Sequence, residues 1–246
     1  MAQKMRLDVY LFASGLAASR TEAKSLILEG AVSVCGKAVM KPSYEVDGNS
    51  NDVRVESAGK RFASRGGLKL EAALREFSVD PKDRLALDVG ASSGGFTDCL
   101  LSHGAAHVIA VDSGTGQLAE SLRLDGRVTS VEGYNARYMK REDLDYTPDL
   151  AVMDVSFISA TYIMPAVMEV LAPGGDFVCL IKPQFEVGRA GLGKGGIVRD
   201  EVARDAAVRR VLDFAREIGF VNLGLVRSPI LGGDGNVEFL AHFKKR

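Results

Sequence analysis

The chain has 246 residues, 46% of them hydrophobic, which is enough for one large domain or for a large domain and a small one. No apolar run reaches the roughly 18 residues of a membrane helix, and the N-terminus lacks the apolar core of a signal peptide. The three cysteines are isolated and the three histidines form no HExxH pattern, so we expect a cytoplasmic protein with no disulfides, no metal site and no membrane association.

Positive charge is concentrated at the beginning of the chain. Residues 1–65 contain 10 Lys and Arg against 7 Asp and Glu, whereas the rest contains 21 against 25. A small basic part favours an acidic partner such as nucleic acid, although an excess of this size also arises by chance. Charge alone therefore leaves the partner open.

The first 56 residues are predicted to form a small α+β domain. Apolar residues from Leu7 to Phe12 suggest a short helix that Gly15 ends. Ser19-Arg20-Thr21-Glu22 is a capping-box pattern for a second helix, which we expect to run to Glu29. Alternating apolar residues and a Cys35-Gly36 turn then predict three strands: Ala31–Val34, Ala38–Val39 and Val53–Val55.

This stretch resembles a small RNA-binding module that occurs in a small-subunit ribosomal protein, in tyrosyl-tRNA synthetases and in pseudouridine synthases. The similarity lies in Arg6-Leu7-Asp8, in residues 19–24 and in residues 28–37, where Cys35 replaces the Asn that usually precedes the hairpin glycine. The resemblance implies that several basic residues face an RNA backbone, whose phosphates they would neutralise without reading sequence. These residues are Arg6, Arg20, Lys24, Lys37 and Lys41. The alternative is that they are solvated surface side chains.

Residues 57–67 are predicted to be a linker to a second domain at residues 68–246. Small residues and the basic residues Lys60, Arg61 and Arg65 dominate this stretch. Because Gly and Ser favour a flexible chain, we expect the joint to pivot until RNA orders it. Arg65 is a further candidate for RNA contact.

Beyond residue 68, apolar strands alternate with amphipathic helices. This alternation predicts an α/β domain with a mostly parallel sheet and helices on both faces. The turn at residues 232–235 is too short for a crossover helix, so the last strand should be antiparallel. The predicted strands are Leu85–Val89, Val108–Val111, Thr129–Glu132, Leu150–Met153, Asp176–Ile181, Asn222–Arg227 and Glu238–Phe243, and the predicted helices are Leu68–Phe77, Phe96–His103, Thr161–Leu171 and Glu201–Ile218.

A glycine-rich turn after the first of these strands predicts a nucleoside site. Residues 88–97 follow an apolar strand and open a helix, so backbone N–H groups can approach a ligand. Asp112 ends the next strand, where an acid can bind ribose hydroxyls. This pattern fits NAD or S-adenosylmethionine, but it lacks the G-x-G-x-x-G spacing and Asp88 disfavours a pyrophosphate, so we favour S-adenosylmethionine. The candidate cofactor residues are Asp88, Gly90, Ala91, Ser92, Gly94, Gly95, Phe96, Asp112 and Asp154.

A second glycine-rich stretch, from Gly188 to Lys194, has the G-x-x-x-x-G-K spacing of a P-loop. It lacks the following Ser or Thr that would hold magnesium, and Pro183 to Val187 separate it from the preceding strand. We expect a mobile loop over the substrate entrance, with an ordinary surface loop as the alternative.

Four charged residues, Lys69, Asp154, Lys182 and Glu238, lie far apart in the sequence. The last three stand beside apolar strands, and a charged side chain at the edge of a buried strand needs a partner or a function. Together with a nucleoside-binding turn, this set indicates methyl transfer onto a sugar hydroxyl. The alternative is a buried network of ion pairs that only stabilises the fold.

Four segments carry a resemblance to known proteins: residues 64–70, 88–98, 153–158 and 181–186. Through them the whole chain resembles the TlyA family, whose members are often labelled hemolysins, and its C-terminal part is similar to FtsJ-like ribose methyltransferases. The resemblance implies a Rossmann-like class I methyltransferase domain and S-adenosylmethionine-dependent (cytidine-2′-O)-methylation of ribosomal RNA, free or in ribosomal subunits. It also implies that Lys69, Asp154, Lys182 and Glu238 form a catalytic tetrad.

The chemistry of these residue types fits that role. A ribose 2′-hydroxyl is a weak nucleophile until its proton is drawn away, and Lys182 is the candidate base, since burial and the neighbouring cation Lys69 would favour its neutral form. Asp154 and Glu238 would hold the lysines and balance their charge, and most of the rate would come from in-line placement of the hydroxyl. A non-catalytic RNA-binding assembly factor and a membrane-lysing protein are the alternatives. The target nucleotide, the ribosomal subunit and the oligomeric state stay open.

Overall fold

The structure is a computed structural model, and it divides into two compact units, Met1–Arg61 and Phe62–Arg246. It describes residues 4–17, 19–28, 31–39, 41–48, 52–55, 62–188, 191–232 and 235–246. Each unit has its own core of buried apolar side chains.

In its described residues, the smaller unit contains two helices and two small antiparallel sheets. Strand β1 pairs with β4, and β2 lies between β3 and β5. Leu7, Leu11, Ile27 and Val32 are fully buried between these elements. The elements are β1 (Lys4–Arg6), α1 (Leu7–Ala13), α2 (Arg20–Leu28), β2 (Val32–Val34), β3 (Lys37–Ala38), β4 (Glu45–Asp47) and β5 (Val53–Val55).

The sequence did not predict β1 and β4. Each has three residues, and the middle residue, Met5 or Val46, is the only apolar one that is buried or half-buried. A single apolar residue gives no alternation to recognise. The predicted end of the second helix at Glu29 lies outside the described residues, whereas the described part of α2 runs to Leu28.

The larger unit is built on a seven-stranded sheet with the order β11-β12-β10-β9-β6-β7-β8. All neighbouring strands are parallel except at β12, which is antiparallel to both β10 and β11. The predicted mostly parallel sheet with an antiparallel last strand is therefore confirmed. The strands are β6 (Leu85–Val89), β7 (His107–Val111), β8 (Val128–Val131), β9 (Leu150–Met153), β10 (Asp176–Ile181), β11 (Phe220–Arg227) and β12 (Phe239–Lys245).

Both faces of this sheet are covered, which explains the continuous apolar composition of its central strands. All six residues of β10 are buried, with Phe177, Cys179 and Ile181 in one core and Val178 and Leu180 in the other. The helices are α3 (Gly66–Phe77), α4 (Gly95–Ser102), α5 (Glu120–Arg123), α6 (Met164–Val170), α7 (Pro183–Glu186) and α8 (Glu201–Glu217). Among the described residues, no helix has the length and apolarity needed to cross a membrane.

Most predicted boundaries lie within two residues of the observed ones, and two predictions differ by more. The helix expected at Thr161–Leu171 is divided into a 3₁₀ turn at Ala160–Tyr162 and helix α6, with Pro165 in the first turn of α6. The second half of the predicted linker belongs to the larger unit, since Gly66 and Gly67 begin α3. A Cβ at Gly67 would collide with the ring of buried Phe62, so this glycine serves close packing rather than flexibility.

Candidate active site

A cleft of about 490 Å³ opens at the carboxyl ends of β6, β7 and β9. Ligands of open α/β sheets bind at this edge, and the volume lies within the roughly 300–1,000 Å³ of small-molecule sites. We call it the first cleft. Four of the candidate cofactor residues line it: Gly90, Ser92, Asp112 and Asp154. The sequence did not indicate Ser113, Gln117, Tyr134, Asn135 and Ala136, which line it too.

Asp112 shapes the wall of the first cleft. Its Oδ2 accepts a hydrogen bond from the backbone N–H of Ser92 at 2.8 Å, and its Oδ1 accepts one from Gly114 at 2.7 Å. A carboxylate has about four acceptor sites, so each oxygen can still bind a ligand hydroxyl. Asp112 thus orders the glycine-rich turn and also faces the cleft.

The other candidate residues of the turn lie outside the cleft lining. Gly94 has a φ of +92°, and a Cβ there would collide with Leu122, while a Cβ at Gly95 would collide with Ser64 Oγ. Phe96 is buried in the core beneath, and Ala91 is buried as well. These glycines are therefore explained by the left-handed backbone and by helix packing.

Asp88 is fully buried below the first cleft. Thr97 Oγ1 donates a hydrogen bond to its Oδ2 at 2.7 Å, and its Oδ1 has no hydrogen-bond partner among the described residues. Burial raises the pKa of Asp88 to about 7, and the nearby carboxylates Asp154 and Asp112 act in the same direction. A positive ligand in the first cleft would favour the ionised form.

The four predicted catalytic residues form two ion pairs. Lys69 Nζ lies 2.6 Å from Glu238 Oε2, and both side chains are nearly inaccessible to solvent. Lys182 Nζ lies 2.5 Å from Asp154 Oδ1, with 11% and 21% of the two side chains exposed. Each buried charge therefore has a counter-charge, as the cost of desolvation requires.

The sheet register brings both pairs to one edge. Ile181 of β10 pairs with Phe239 of β12, so the next residues beyond that pair, Lys182 and Glu238, are neighbours across the two strands. Asp154 directly follows β9, which runs parallel to β10. Lys69, from α3, completes the arrangement by reaching Glu238.

Three further residues contact the tetrad, although the sequence did not indicate a functional role for any of them. Lys182 Nζ donates a hydrogen bond to Ser156 Oγ at 2.7 Å, and Gln184 Nε2 donates one to Glu238 Oε1 at 3.2 Å. A Cβ at Gly232 would collide with the carboxylate of Glu238, so only glycine leaves room for that side chain.

A second cleft, of about 760 Å³, adjoins the tetrad on the side of Gln184. It shares Phe157 and Ile158 with the first cleft, and the rings of Phe157 and Phe185 lie 5.3 Å apart. Phe157 is 92% exposed and has a φ of +64°, a conformation that is unfavourable for an aromatic residue. Packing does not account for an exposed aromatic ring on a strained backbone, which favours a role in binding.

The loop that was compared with a P-loop follows helix α7 rather than a strand, and Gly188 and Leu192 line the second cleft. Residues 189 and 190 lie outside the described part of the chain. Buried Asn236 fastens the end of this loop, because its Oδ1 accepts from Val198 N at 2.9 Å and its Nδ2 donates to Gly196 O at 3.0 Å.

Comparison with known proteins identifies the two units. Residues 62–245 match the model of the FtsJ-like methyltransferase family, and residues 5–52 match the S4 domain. The chain belongs to the FtsJ-like methyltransferase family.

This FtsJ-like methyltransferase is similar to named relatives over almost its full length. It is 46% identical to "Putative rRNA methyltransferase YqxC" of Bacillus subtilis, covering 98% of this chain and 86% of that protein. It is 43% identical to "16S/23S rRNA (cytidine-2'-O)-methyltransferase TlyA" of Mycobacterium tuberculosis, covering 97% and 89%. A solved structure, "Putative hemolysin from Streptococcus thermophilus", matches with a TM-score of 0.78 and 44% identity, covering 100% of this chain and 90% of that one.

The S4 domain of this FtsJ-like methyltransferase carries most of the predicted RNA-binding residues. Lys24, Lys37 and Lys41 are exposed. Arg6 and Arg20 are about half-exposed, and both contact the buried carboxylate of Asp8. The remaining candidate, Arg65, lies in the larger unit, where it is half-buried just before α3. In the described part of the chain, no group of three or more His, Cys, Asp or Glu side chains could hold a metal ion.

Proposed function

We propose that this protein transfers a methyl group from S-adenosylmethionine to a ribose 2′-hydroxyl of ribosomal RNA. The observation that carries the proposal is the convergence of the Lys69–Glu238 and Lys182–Asp154 ion pairs between two clefts at one sheet edge. Each residue alone could be a structural ion-pair partner, but two adjacent lysine–carboxylate pairs beside two clefts fit proton removal from a weakly acidic hydroxyl.

The first cleft suits S-adenosylmethionine. Asp112 can accept bonds from ribose hydroxyls, and the unpartnered Oδ1 of buried Asp88 and the carboxylate of Asp154 favour a cationic ligand over a pyrophosphate. When bound, S-adenosylmethionine supplies an electrophilic methyl group. No arginine or lysine lines the first cleft to bind a pyrophosphate, among the residues that the structure describes there.

Within the tetrad, Lys182 would transfer the proton, and the carboxylates would position the lysines. Lys182 would accept the hydroxyl proton at Nζ in its neutral form, and its contact with Asp154 would hold Nζ in position for this transfer. A positive charge in the first cleft would compete for Asp154, which lines that cleft, and would repel the proton on Lys182. Because Glu238 neutralises the charge of Lys69, Lys69 has a weaker electrostatic effect on Lys182 than the sequence suggested.

The second cleft would receive the acceptor nucleotide. It adjoins the tetrad through Gln184, and its aromatic side chains Phe157, Tyr162 and Phe185 can stack on bases. Stacking on an aromatic ring contributes about 1–3 kcal/mol per base and tolerates any base. A ribose placed between the clefts would then have its 2′-hydroxyl beside Lys182.

The experiment that tests the proposal is methyl transfer from labelled S-adenosylmethionine to ribosomal RNA and to intact subunits, followed by digestion to nucleosides. We expect label in 2′-O-methylribose, and in cytidine in particular, as the M. tuberculosis relative's name indicates for that protein. An RNA with 2′-deoxyribose at the modified position should accept no label. Label on a base, or equal transfer to the deoxy RNA, would show that the reaction is not ribose methylation.

A further inference from the structure

Asp8 is a buried acid in the smaller unit that neither packing nor helix formation explains. Its side chain is 0% exposed, although it stands in the first turn of α1, where acids are usually solvated. A buried carboxylate is strongly unfavourable unless it is paired. A structural reason for an acid at this position should therefore lie in its partners.

Those partners are Arg6 and Arg20. Arg6 binds in a two-point arrangement, with Nε 2.9 Å from Oδ1 and Nη2 3.2 Å from Oδ2, and Arg20 Nη2 lies 3.2 Å from the same Oδ2. The two arginine side chains remain 49% and 53% exposed. Hydrogen bonds from Arg6 lower the pKa of Asp8, so the carboxylate is charged at neutral pH.

We propose that Asp8 is a positioning residue that holds Arg6 and Arg20 in the orientation in which they bind RNA phosphates. The inference rests on the proposed RNA-binding role of the smaller unit. A guanidinium has five N–H groups, and the contacts to Asp8 engage two on Arg6 and one on Arg20, which leaves others for phosphate oxygens. An arginine that is already ordered loses little side-chain freedom when RNA binds.

If Asp8 has this role, removal of its charge should change RNA affinity in the direction opposite to that expected from net charge alone. Removing a negative charge near an RNA-binding surface should strengthen RNA binding, because repulsion from the phosphates falls. If Asp8 instead positions two arginines, removing its charge should weaken binding. The sign therefore separates positioning from net charge.

The test compares Asp8→Asn with Glu45→Gln, a matched removal of one negative charge from the same unit at a residue whose side chain is 67% exposed. Binding of a ribosomal RNA fragment to the full chain would be measured by fluorescence anisotropy over a range of salt concentrations. We expect Asp8→Asn to weaken binding about tenfold and to flatten the salt dependence, as ordered phosphate contacts are lost. Glu45→Gln should bind equally well or more tightly.

Two further variants keep the test decisive if Asp8→Asn unfolds the unit. Arg6→Lys and Arg20→Lys retain charge but lose the planar fork that Asp8 holds, so each should also weaken RNA binding while the melting temperature stays close to that of the wild type. Wild-type affinity in both lysine variants, or in a folded Asp8→Asn variant, would overturn the inference.

Failure of the inference can be distinguished from failure of the proposed function. The triple variant Asp8→Asn/Arg6→Ala/Arg20→Ala leaves no buried charge unpaired. If this triple variant is folded and weakens RNA binding but a folded Asp8→Asn does not, the arginines bind RNA without help from Asp8. If the folded triple variant binds RNA like the wild type, the RNA-binding role of this face is wrong and the inference falls with it.

Discussion

Lys182 makes two contacts at its ammonium group, with Asp154 and Ser156, and both can orient Nζ toward a third partner. We predict that Lys182→Ala abolishes methyl transfer. Lys182→Arg should fail too, because a guanidinium does not lose its proton near neutral pH and cannot act as a base. The measurement is incorporation of labelled methyl groups, with cofactor affinity by calorimetry and the melting temperature as controls. An active arginine variant would show that positive charge suffices and that Lys182 only positions the hydroxyl.

Asp88 should make the stability of the larger unit dependent on pH. Burial raises its pKa from 3.8 to about 7, so the stability that its protonated form contributes is fully present below about pH 4 and is lost as pH rises through about 7. Between pH 5 and pH 8 this loss should be roughly 3 kcal/mol. Asp88→Asn does not ionise, so its melting temperature should fall less over this range. Asp213→Asn, at an exposed acid, should keep the wild-type pH dependence.

A substitution at Phe157 can separate an effect on RNA binding from an effect on folding. Because its ring is 92% exposed, Phe157→Ala should leave the melting temperature within about 1 °C of the wild type, as expected for a surface substitution. Loss of base stacking should lower methyl transfer to RNA by about 5- to 150-fold, which corresponds to roughly 1–3 kcal/mol. S-adenosylmethionine affinity, measured in parallel, should change much less. Full activity of the alanine variant would remove Phe157 from the acceptor site.

At the scale of elements, the turn before β12 is shaped to accommodate Glu238. We predict that Gly232→Ala displaces the Glu238 carboxylate from Lys69 and lowers the rate of methyl transfer at least about tenfold, since active sites are sensitive to displacements of about 1 Å. Gly126→Ala is the matched control, because no atom lies within 4 Å of a Cβ built there and the backbone is not in the left-handed region. Equal activity of the two variants would show that Glu238 need not contact Lys69.

The long, buried strands were predictable from the sequence, whereas several short elements were not, although the three-residue strand β5 has its predicted bounds. Strand β10 has the boundaries that its apolar run predicts, because both of its faces are covered. Single-turn helices such as α5 and α7 have too few residues for a helical period, and their positions depend on tertiary contacts.

The sequence could indicate candidate site residues only where chemistry restricts the residue type. A lysine beside a buried strand, such as Lys182, is noticeable because a lysine is rarely buried unless it has a charged partner or a function. Ser and Gln are common surface residue types, and the sequence does not show that Phe157 is exposed. The positions of Ser156, Gln184 and Phe157 beside the tetrad and the clefts became visible only from distances and exposure.

A charged residue beside a strand is not sufficient to indicate a catalytic site. At the opposite end of β10, Asp176 binds His242 Nε2 at 2.9 Å, Lys244 Nζ at 3.0 Å and Arg84 Nη2 at 3.1 Å. These partners hold the pKa of Asp176 well below its usual range, against the opposing effect of burial. The cluster joins β10 and β12 to the residue before β6, and neither of the two clefts includes any of its members. The tetrad, in contrast, reaches the first cleft through Asp154 and the second through Gln184, which contacts Glu238.

At the scale of the whole molecule, the distribution of charges suggests that RNA binding and catalysis belong to different units. Exposed basic residues of the smaller unit suit phosphate binding, and the larger unit holds the tetrad and both clefts. RNA affinity and cofactor affinity should therefore respond to different substitutions. Charge reversal at Arg20 is a poor test, because it would place a carboxylate beside buried Asp8 and destabilise the unit.

Charge reversal at two exposed lysines tests this division in the full chain. We predict that Lys24→Glu/Lys37→Glu weakens binding to ribosomal RNA and lowers the slope of log affinity against log salt by about 1–2, because up to two phosphate contacts are lost. S-adenosylmethionine affinity by calorimetry should stay at the wild-type value, since both substitutions lie in the smaller unit. Methyl transfer should fall at low RNA concentration and recover at saturating RNA, as expected when binding but not the chemical step is impaired. A rate that stays low at saturating RNA would show instead that the smaller unit contributes to the chemical step.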